Sequence, residues 1–334
     1  MKKMKNLESF FEGKRILVSG GTGSIGREIV FQLLRFNPQV IRVLSRDEHK
    51  LFELKERIGE DKRVRYLLGD IRDKERLRWA LEDIDIVFHA AALKHVTFCE
   101  YNPFESVKTN VVGTQNLIEV SIEKEVSVFI TISSDKAVNP TNTLGASKLL
   151  AEKLTLSANR YKGKRDSVFS VVRFGNVLGS RGSVIPKFLS QIRRGGPLTL
   201  THPSMRRYMM TISDAVNLVL EAAFLTKGEE VFILKMPKVW ICDLAEAMIE
   251  FFAPKFGFSP RDIKIEVIGA QLGEKIDEKL FSDEEALRLR ELGDFYILSD
   301  KQGEPAVFVE ERFLTKEEIM KILDNWWRGL GEET

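Results

Sequence analysis

Cysteine is scarce in this sequence: Cys99 and Cys242 are the only two among 334 residues. Two cysteines this far apart build neither a disulfide framework nor a four-ligand zinc site, so we expect reduced thiols. His89 and His95 stand six residues apart, but no cluster of cysteines or carboxylates joins them. The sequence therefore predicts no bound metal.

The sequence also lacks an excess of charge and any long apolar run. Its 51 basic and 49 acidic side chains leave a net charge of +2, which gives no reason to expect a nucleic acid or an anionic membrane surface as partner. No stretch approaches the ~18 apolar residues of a membrane span, and the basic N-terminal stretch lacks the apolar segment of a signal peptide. We expect a cytoplasmic protein without a membrane span.

What the sequence does contain is a regular alternation of short apolar strands and amphipathic helical segments, which is typical of parallel βαβ units. The fold class is therefore predicted as α/β, with a Rossmann-type doubly wound parallel sheet and a smaller C-terminal mixed α/β domain. The predicted strands are 15–19, 40–44, 64–68, 84–89, 126–132 and 167–172, and the helical segments are 26–35, 48–58, 74–82 and 111–123.

The alternation loosens beyond about residue 176, where we place the domain boundary. Residues 1–176 are predicted to bind a dinucleotide and residues 177–334 a substrate. The chain is expected to return to the first domain around 205–236, with a late strand at 231–234.

A glycine-rich loop follows the first strand and leads into the first amphipathic helix. Glycine permits the tight turn and the close approach of a pyrophosphate, while the helix N-terminus supplies N–H groups and a positive dipole end. The sequence therefore predicts a dinucleotide site at Gly20, Thr22, Gly23, Ser24, Ile25 and Gly26.

The end of the second strand indicates which dinucleotide binds. An acidic residue there would bond a ribose 2′-hydroxyl, whereas Ser45 and Arg46 suit a 2′-phosphate, so NADP is favoured over NAD. The alternative is that Arg46 is a solvated charge and Asp47 serves the ribose. Further cofactor-lining residues are expected after the third and fourth strands, namely Asp70, Ile71, Ala90, Ala91 and Ala92.

Polar residues follow the fifth predicted strand, at the sheet edge where such folds bind ligands. Ser134, Asp135 and Lys136 come first, and Lys148 opens the next helix. An adjacent acid and base suit proton transfers, although a turn with a surface ion pair is the plainer alternative.

Together these motifs resemble the extended short-chain dehydrogenase/reductase family, and within it the nucleotide-sugar 4,6-dehydratases of bacterial polysaccharide biosynthesis. The resemblance covers residues 12–285, and several of its motifs are typical of the UDP-N-acetylglucosamine dehydratase branch. The motifs are GGTGSIG, SRDE, GDIRD, HAAALKHV, YNPFESVKTNVVGTQN, SSDKAVNPTNTLGASK, RFGNVLGSRGSVIP and MRRYMMTISDAV.

The resemblance implies oxidation of a sugar at C4 by NADP, loss of water across C5 and C6, and return of hydride to C6. It implies that Asp135 is the acid, Lys136 the base, and Lys148 the residue that holds the nicotinamide ribose. Ser134 would bond the C4 oxygen. Lys94 and Asn110 are further expected contacts of the cofactor, and Lys94 of the substrate as well.

On the substrate side, the resemblance implies contacts from Asn176, Arg181, Val184, Arg207 and Glu274, and it places Arg173 beside the diphosphate. UDP-N-acetylglucosamine is the expected substrate, and a homo-oligomer is the expected assembly. The aromatic residues Phe308, Phe313, Trp326 and Trp327 are expected to lie in a core or at a subunit contact.

Two residues depart from the family pattern. Leu144 replaces the usual tyrosine, as methionine does in one branch of these dehydratases, where the Asp-Lys pair is thought to take over its role. Gln271 replaces an arginine, so a nucleotide other than uridine is harder to exclude. The alternatives are a non-catalytic module that binds NADP or a nucleotide sugar, and an epimerase or reductase on the same fold.

Overall fold

The computed structural model describes residues 2–180, 182–299 and 311–331. The strands are β1 (Arg15–Ser19), β2 (Val40–Ser45), β3 (Val64–Leu68), β4 (Ile86–His89), β5 (Val128–Ile132), β6 (Val168–Arg173), β7 (Asn176–Val177), β8 (Leu198–Leu200), β9 (Arg206–Met210), β10 (Val231–Leu234), β11 (Lys238–Trp240), β12 (Ile265–Val267), β13 (Leu289–Leu292) and β14 (Phe295–Leu298).

The α-helices alternate with these strands. They are α1 (Lys2–Phe11), α2 (Ser24–Leu33), α3 (Glu48–Ile58), α4 (Lys74–Ala80), α5 (Val96–Tyr101), α6 (Pro103–Ser106), α7 (Gly113–Glu123), α8 (Thr143–Tyr161), α9 (Val184–Ile192), α10 (Ile212–Leu225), α11 (Ile241–Phe252), α12 (Asp283–Ala286) and α13 (Lys316–Gly331). A π-helical segment, Val107–Val112, joins α6 to α7. Asp47, Asp73 and Asn142 cap α3, α4 and α8 by accepting a backbone N–H, which fixes where each helix begins.

The chain forms two compact units. The first comprises residues 1–174, 213–235 and 280–307, and the second comprises 175–212, 236–279 and 308–334. Residues 280–307 were predicted to belong to the second domain. The structure divides the chain differently because β14 pairs with β10 and thereby extends the sheet of the first unit.

A nine-stranded sheet organises the first unit, in the order β13-β14-β10-β6-β5-β4-β1-β2-β3. Seven neighbouring strands of this sheet run parallel, namely β10, β6, β5, β4, β1, β2 and β3. The other two, β14 and β13, form an antiparallel edge beside β10. The predicted doubly wound α/β fold is confirmed. The order reverses between β1 and β4, which is the point where such sheets bind ligands.

The sheet has apolar strands because helices cover it on its faces. All residues of β4, β5 and β10 are buried, which explains their continuous apolar sequences. Leu17, Phe129 and Phe169 belong to a core cluster that α4, α7 and α8 complete. This packing holds the carboxyl ends of β1, β4 and β5 in fixed positions.

The second unit has its own apolar core around α9, α11 and α13. It contains a three-stranded sheet, β11-β9-β7, and the pair β12-β8. Trp326 and Trp327 pack against this core, so their expected core role is confirmed. Phe313 stacks on Trp240 with ring centroids 5.7 Å apart. Phe308 lies outside the described residues.

Candidate active site

The loop between β1 and α2 packs closely against the segment that follows β4. Gly20 has φ +65°, and a Cβ at this position would lie 2.7 Å from the backbone N and Cα of Ala91. Only glycine combines this conformation with this approach. The loop thus brings the predicted glycine-rich residues beside the predicted Ala90–Ala92 segment, and the N-cap residue of α2, Gly23, has no side chain with which to cap the helix.

The end of β2 lies against the same loop. The hydroxyls of Thr22 and Ser45 are 2.8 Å apart, and both side chains are buried. Asp47 accepts a hydrogen bond from the backbone N–H of Lys50 and so is engaged as the N-cap of α3. Arg46, between them, has a side chain that is 56% exposed, which leaves its guanidinium accessible at this edge.

The loop after β3 carries the predicted residues Asp70 and Ile71. The Asp70 carboxylate lies 3.9 Å from Arg46 and 2.7 Å from Arg72. Partial burial opposes ionisation of Asp70, but hydrogen bonds from Arg72 hold its pKa below the usual value. Ile71 is buried in the core cluster. The structure therefore brings Asp70 and Arg46 together.

His89, at the end of β4, is buried within a chain of hydrogen bonds. Its Nδ1 lies 2.8 Å from Ser19 Oγ, and its Nε2 lies 2.8 Å from Thr114 Oγ1. Since the Thr114 hydroxyl donates to the Asn110 carbonyl, it accepts from His89 Nε2–H. Burial, together with the nearby Lys148 ammonium, lowers the pKa of His89 to about 3. His89 is therefore a neutral structural residue at physiological pH.

Asn110 ties the segment after β4 to α8. Its amide accepts from the Leu93 N–H at 2.8 Å, donates to the Leu93 carbonyl at 3.1 Å, and donates to Ser147 Oγ at 2.9 Å. Both amide N–H groups are thus in use. Asn110 fixes the loop that carries Lys94, whose side chain is exposed.

Asp135 and Lys136 form a hydrogen-bonded pair directly after β5, within a single 3₁₀ turn. Asp135 is fully buried, and its Oδ1 accepts from Ser134 Oγ at 2.8 Å and from Lys136 Nζ at 3.0 Å. Its Oδ2 is buried without a hydrogen-bond partner among the described residues. A buried carboxyl group with one unsatisfied oxygen, next to an amine that is 20% exposed, is suited to proton transfer.

Helix α8 approaches this turn through a glycine. A Cβ on Gly145 would lie 2.2 Å from the carbonyl oxygen of Lys136, a distance that no real side chain permits. One turn later, Lys148 Nζ donates to the Ile132 carbonyl at 2.9 Å. Burial lowers the pKa of Lys148 to about 8, against the opposing effect of the Glu152 carboxylate. Leu144, on the same turn of α8, is buried.

Arg173 does not have the role that the sequence analysis gave it. Its guanidinium is 1% exposed and makes bidentate contacts with Glu152 and with Glu285, while Nη1 also donates to the Leu280 carbonyl. All five N–H groups are therefore occupied within the first unit. The prediction that Arg173 lies beside a diphosphate is wrong, because no donor is left for phosphate oxygens.

The second unit carries the other predicted substrate residues. Asn176 begins β7 and Val184 begins α9. Arg207 is buried and donates to the carbonyls of Arg206, Lys275 and Ile276 at 2.7 to 3.0 Å, while Glu274 lies 3.7 Å away. The structure thus brings Arg207 and Glu274 together. Arg181 lies outside the described residues.

Sequence reasoning missed some buried charged residues near these sites. Glu152 lies four residues after Lys148, a spacing that puts both on one face of α8 and could have been noticed. Lys238, in the second unit, is 1% exposed and pairs with Asp277 at 3.1 Å and with Glu311 at 2.5 Å. Nothing in the local sequence indicated that pairing.

The sequence predicted neither a bound metal nor a membrane span. Within residues 2–180, 182–299 and 311–331, no group of three or more histidine, cysteine or acidic residues is arranged to hold a metal ion. None of the helices in this part of the chain combines the length and apolar character needed to cross a bilayer.

Known proteins resemble this chain over most of its length. A Methanocaldococcus jannaschii protein described as an uncharacterized membrane protein is 56% identical, over 96% of this chain and 98% of the relative. A UDP-N-acetylglucosamine 4,6-dehydratase (inverting) of Campylobacter jejuni is 42% identical, over 86% and 84%. A UDP-glucose 4-epimerase of Rickettsia canadensis is 39% identical, over 86% and 83%.

A solved structure and a family model agree with these relatives. The X-ray structure of Pen from Bacillus thuringiensis is 45% identical with a TM-score of 0.90, over 95% of this chain and 98% of that one. Residues 16–300 match the model of a family described as polysaccharide biosynthesis protein. The chain therefore belongs to the polysaccharide biosynthesis protein family, within the extended short-chain dehydrogenase/reductases that include nucleotide-sugar dehydratases and epimerases.

Proposed function

We propose that the protein is an NADP-dependent nucleotide-sugar 4,6-dehydratase that converts UDP-N-acetylglucosamine to a UDP-4-keto-6-deoxy-N-acetylhexosamine for surface polysaccharide or glycan synthesis. The observation that carries the proposal is the buried Asp135 carboxyl, hydrogen-bonded to Lys136 at 3.0 Å and with its second oxygen unsatisfied. An epimerase needs no acid for a departing C6 hydroxyl, whereas elimination of water does.

The first unit suits a nicotinamide dinucleotide. The close approach of Gly20 to Ala91 keeps the β1–α2 loop free of side-chain bulk, and α2 presents an uncapped N-terminus for the pyrophosphate. Arg46 would hold the 2′-phosphate, and Lys148 the nicotinamide ribose. When bound, NADP supplies the hydride acceptor for oxidation at C4 and the donor for reduction at C6.

The Asp135–Lys136 pair supplies the proton transfers. Transfer of one proton across the 3.0 Å from Lys136 Nζ to Asp135 converts the ion pair into a carboxylic acid and a neutral amine. Lys136 then accepts the C5 proton, and Asp135 donates its proton to the C6 hydroxyl as water departs.

The remaining groups orient the sugar nucleotide. Ser134 Oγ, already bonded to Asp135, would donate to the C4 oxygen. Leu144 cannot take the C4 hydroxyl proton, so neutral Lys136 would accept it while Asp135 is a carboxylate, which forms the ion pair. Passage of that proton to Asp135 leaves Lys136 neutral for the C5 proton and Asp135 protonated for the C6 hydroxyl, and Lys136 returns the proton to C5 as hydride reaches C6. In the second unit, Asn176, Val184, Arg207 and Glu274, with Arg181, would contact the nucleotide.

Incubation with UDP-N-acetylglucosamine, without added cofactor, tests the proposal. We expect a product lighter by one water in mass spectrometry, because the cofactor is regenerated in each cycle. A product of unchanged mass that separates from the substrate by chromatography would instead indicate an epimerase. No product, with added NADP+ and with GDP- and dTDP-sugars as further substrates, would leave a non-catalytic binding module.

The cofactor preference has its own test in Arg46→Ala. We expect the affinity for NADP+ to fall roughly 10- to 100-fold, with the affinity for NAD+ unchanged, because only the 2′-phosphate pairs with this guanidinium. Fluorescence titration measures both. Arg35→Ala, which removes another exposed arginine, is the control. Equal losses for both dinucleotides would contradict the assignment of Arg46.

A further inference from the structure

Glu152 is a buried charged residue of the first unit that the proposed chemistry does not use. Its carboxylate pairs with Arg173 in a bidentate contact, Oε1 with Nε at 3.0 Å and Oε2 with Nη2 at 2.7 Å. Both residues are at most 2% exposed. Because buried ion pairs contribute little net stability, the fold alone does not account for this contact.

Glu152 also contacts the strand end that leads into the Asp135 turn. Ser133 Oγ donates to Glu152 Oε1 at 2.5 Å, and Ser133 immediately precedes Ser134. Glu152 lies one helical turn after Lys148 and counteracts the effect of burial on the pKa of that lysine. The Glu152 carboxylate thus contacts Ser133, next to the Ser134-Asp135-Lys136 turn, and acts electrostatically on Lys148 in α8.

Backbone hydrogen bonds also join the segment after β5 to the end of β6. The N–H of Ser133 donates to the Val172 carbonyl at 2.8 Å, and the N–H of Asp135 donates to the Phe174 carbonyl at 3.0 Å. These carbonyls flank Arg173 on β6. Arg173 therefore lies between the two backbone anchors of the turn, and its side chain reaches back to α8 through Glu152.

We propose that Glu152 is a positioning residue for the reaction, which locks the Ser134-Asp135-Lys136 turn and α8 in one register through Ser133 and Arg173. The inference rests on the proposed function, since it assigns Asp135, Lys136 and Lys148 their roles. Glu285 does not share this role. It pairs with the same guanidinium but bonds the N-terminus of α12 through the Ser282 N–H.

The comparison of Glu152→Gln with Glu285→Gln tests the inference, because each variant removes one of the two carboxylates that surround Arg173. We expect Glu152→Gln to lower kcat roughly 10- to 100-fold, the range associated with misplaced reacting groups, with KM little changed. Glu285→Gln should stay within about threefold of the wild type. Ser133→Ala, which removes only the hydroxyl that bonds Glu152, should also lower kcat.

Hydrogen exchange gives a readout that needs no turnover. We expect the amides of residues 133–137 to exchange at least about tenfold faster in Glu152→Gln than in Glu285→Gln. The two variants are compared at the same interval below their respective melting temperatures. The inference would be overturned if these amides exchanged equally fast in the two variants. It would also be overturned if both variants lost kcat equally and in proportion to their loss of stability. If the wild type turns over no nucleotide sugar, the proposed function fails while exchange still decides whether Glu152 orders the turn.

Discussion

Asp135→Asn should lower turnover of the nucleotide sugar by about 10²- to 10⁴-fold, the range that general acid–base groups contribute. The substitution keeps the volume of the side chain and an acceptor oxygen for Ser134 and Lys136. It removes the proton that the departing C6 hydroxyl requires. Because Asp135 Oδ2 has no hydrogen-bond partner among the described residues, the change should not break the fold.

The measurement is the rate of water loss by mass spectrometry, alongside the melting temperature and the affinity for NADPH. Asp85→Asn is the control, because Asp85 accepts a hydrogen bond from the Arg15 backbone N–H and takes no part in the proposed chemistry. Turnover within a few-fold of the wild type for Asp135→Asn would remove this residue from the proposed mechanism.

Gly145→Ala is expected to reduce turnover roughly a hundredfold, through displacement rather than loss of a reacting group. The new Cβ would lie 2.2 Å from the Lys136 carbonyl oxygen, so either the Asp135–Lys136 turn or α8 must move by about 1 Å to restore an ordinary contact. Such a shift separates the amine of Lys136 from its substrate while the β1–α2 loop keeps its geometry.

Steady-state kinetics and NADPH binding together distinguish displacement from unfolding. We expect NADPH affinity to change by less than about tenfold, since the glycine-rich loop lies on other elements. Gly329→Ala in α13 is the matched control, because a Cβ there meets no atom within 4 Å. Wild-type turnover in Gly145→Ala would show that the contact between α8 and the turn does not set the catalytic geometry.

The sequence predicted the parallel part of the sheet well because each strand carries its own signal. The predicted bounds of β1 and β3 are identical to those observed, and the late strand 231–234 matches β10. The antiparallel pair β13 and β14 was not predicted. The strand Leu289–Leu292 contains two adjacent charged residues, Arg290 and Glu291, and the pair's place in the sheet depends on the pairing of β14 with β10, about 60 residues earlier in the chain.

In the candidate site, too, contacts between sequence neighbours were predicted and contacts between distant residues were not. Asp135 and Lys136 are neighbours in sequence, so their pairing could be predicted from the motif itself. Arg173 was misassigned because its partners Glu152 and Glu285 lie 21 and 112 residues away, and no local pattern indicates that they neutralise it. The π-helical segment 107–112 was likewise absent from the prediction, which placed a regular helix from residue 111.

The division of the chain into interleaved segments has a consequence for anyone who wishes to study either unit alone. A fragment that ends at Phe174 lacks β10 and β14, so β6 would become an exposed edge with unpaired backbone groups and an apolar sequence. Such an edge is a template for aggregation. The first unit must therefore be produced either within the whole chain or as a redesigned chain that splices 213–235 and 280–307 after residue 174.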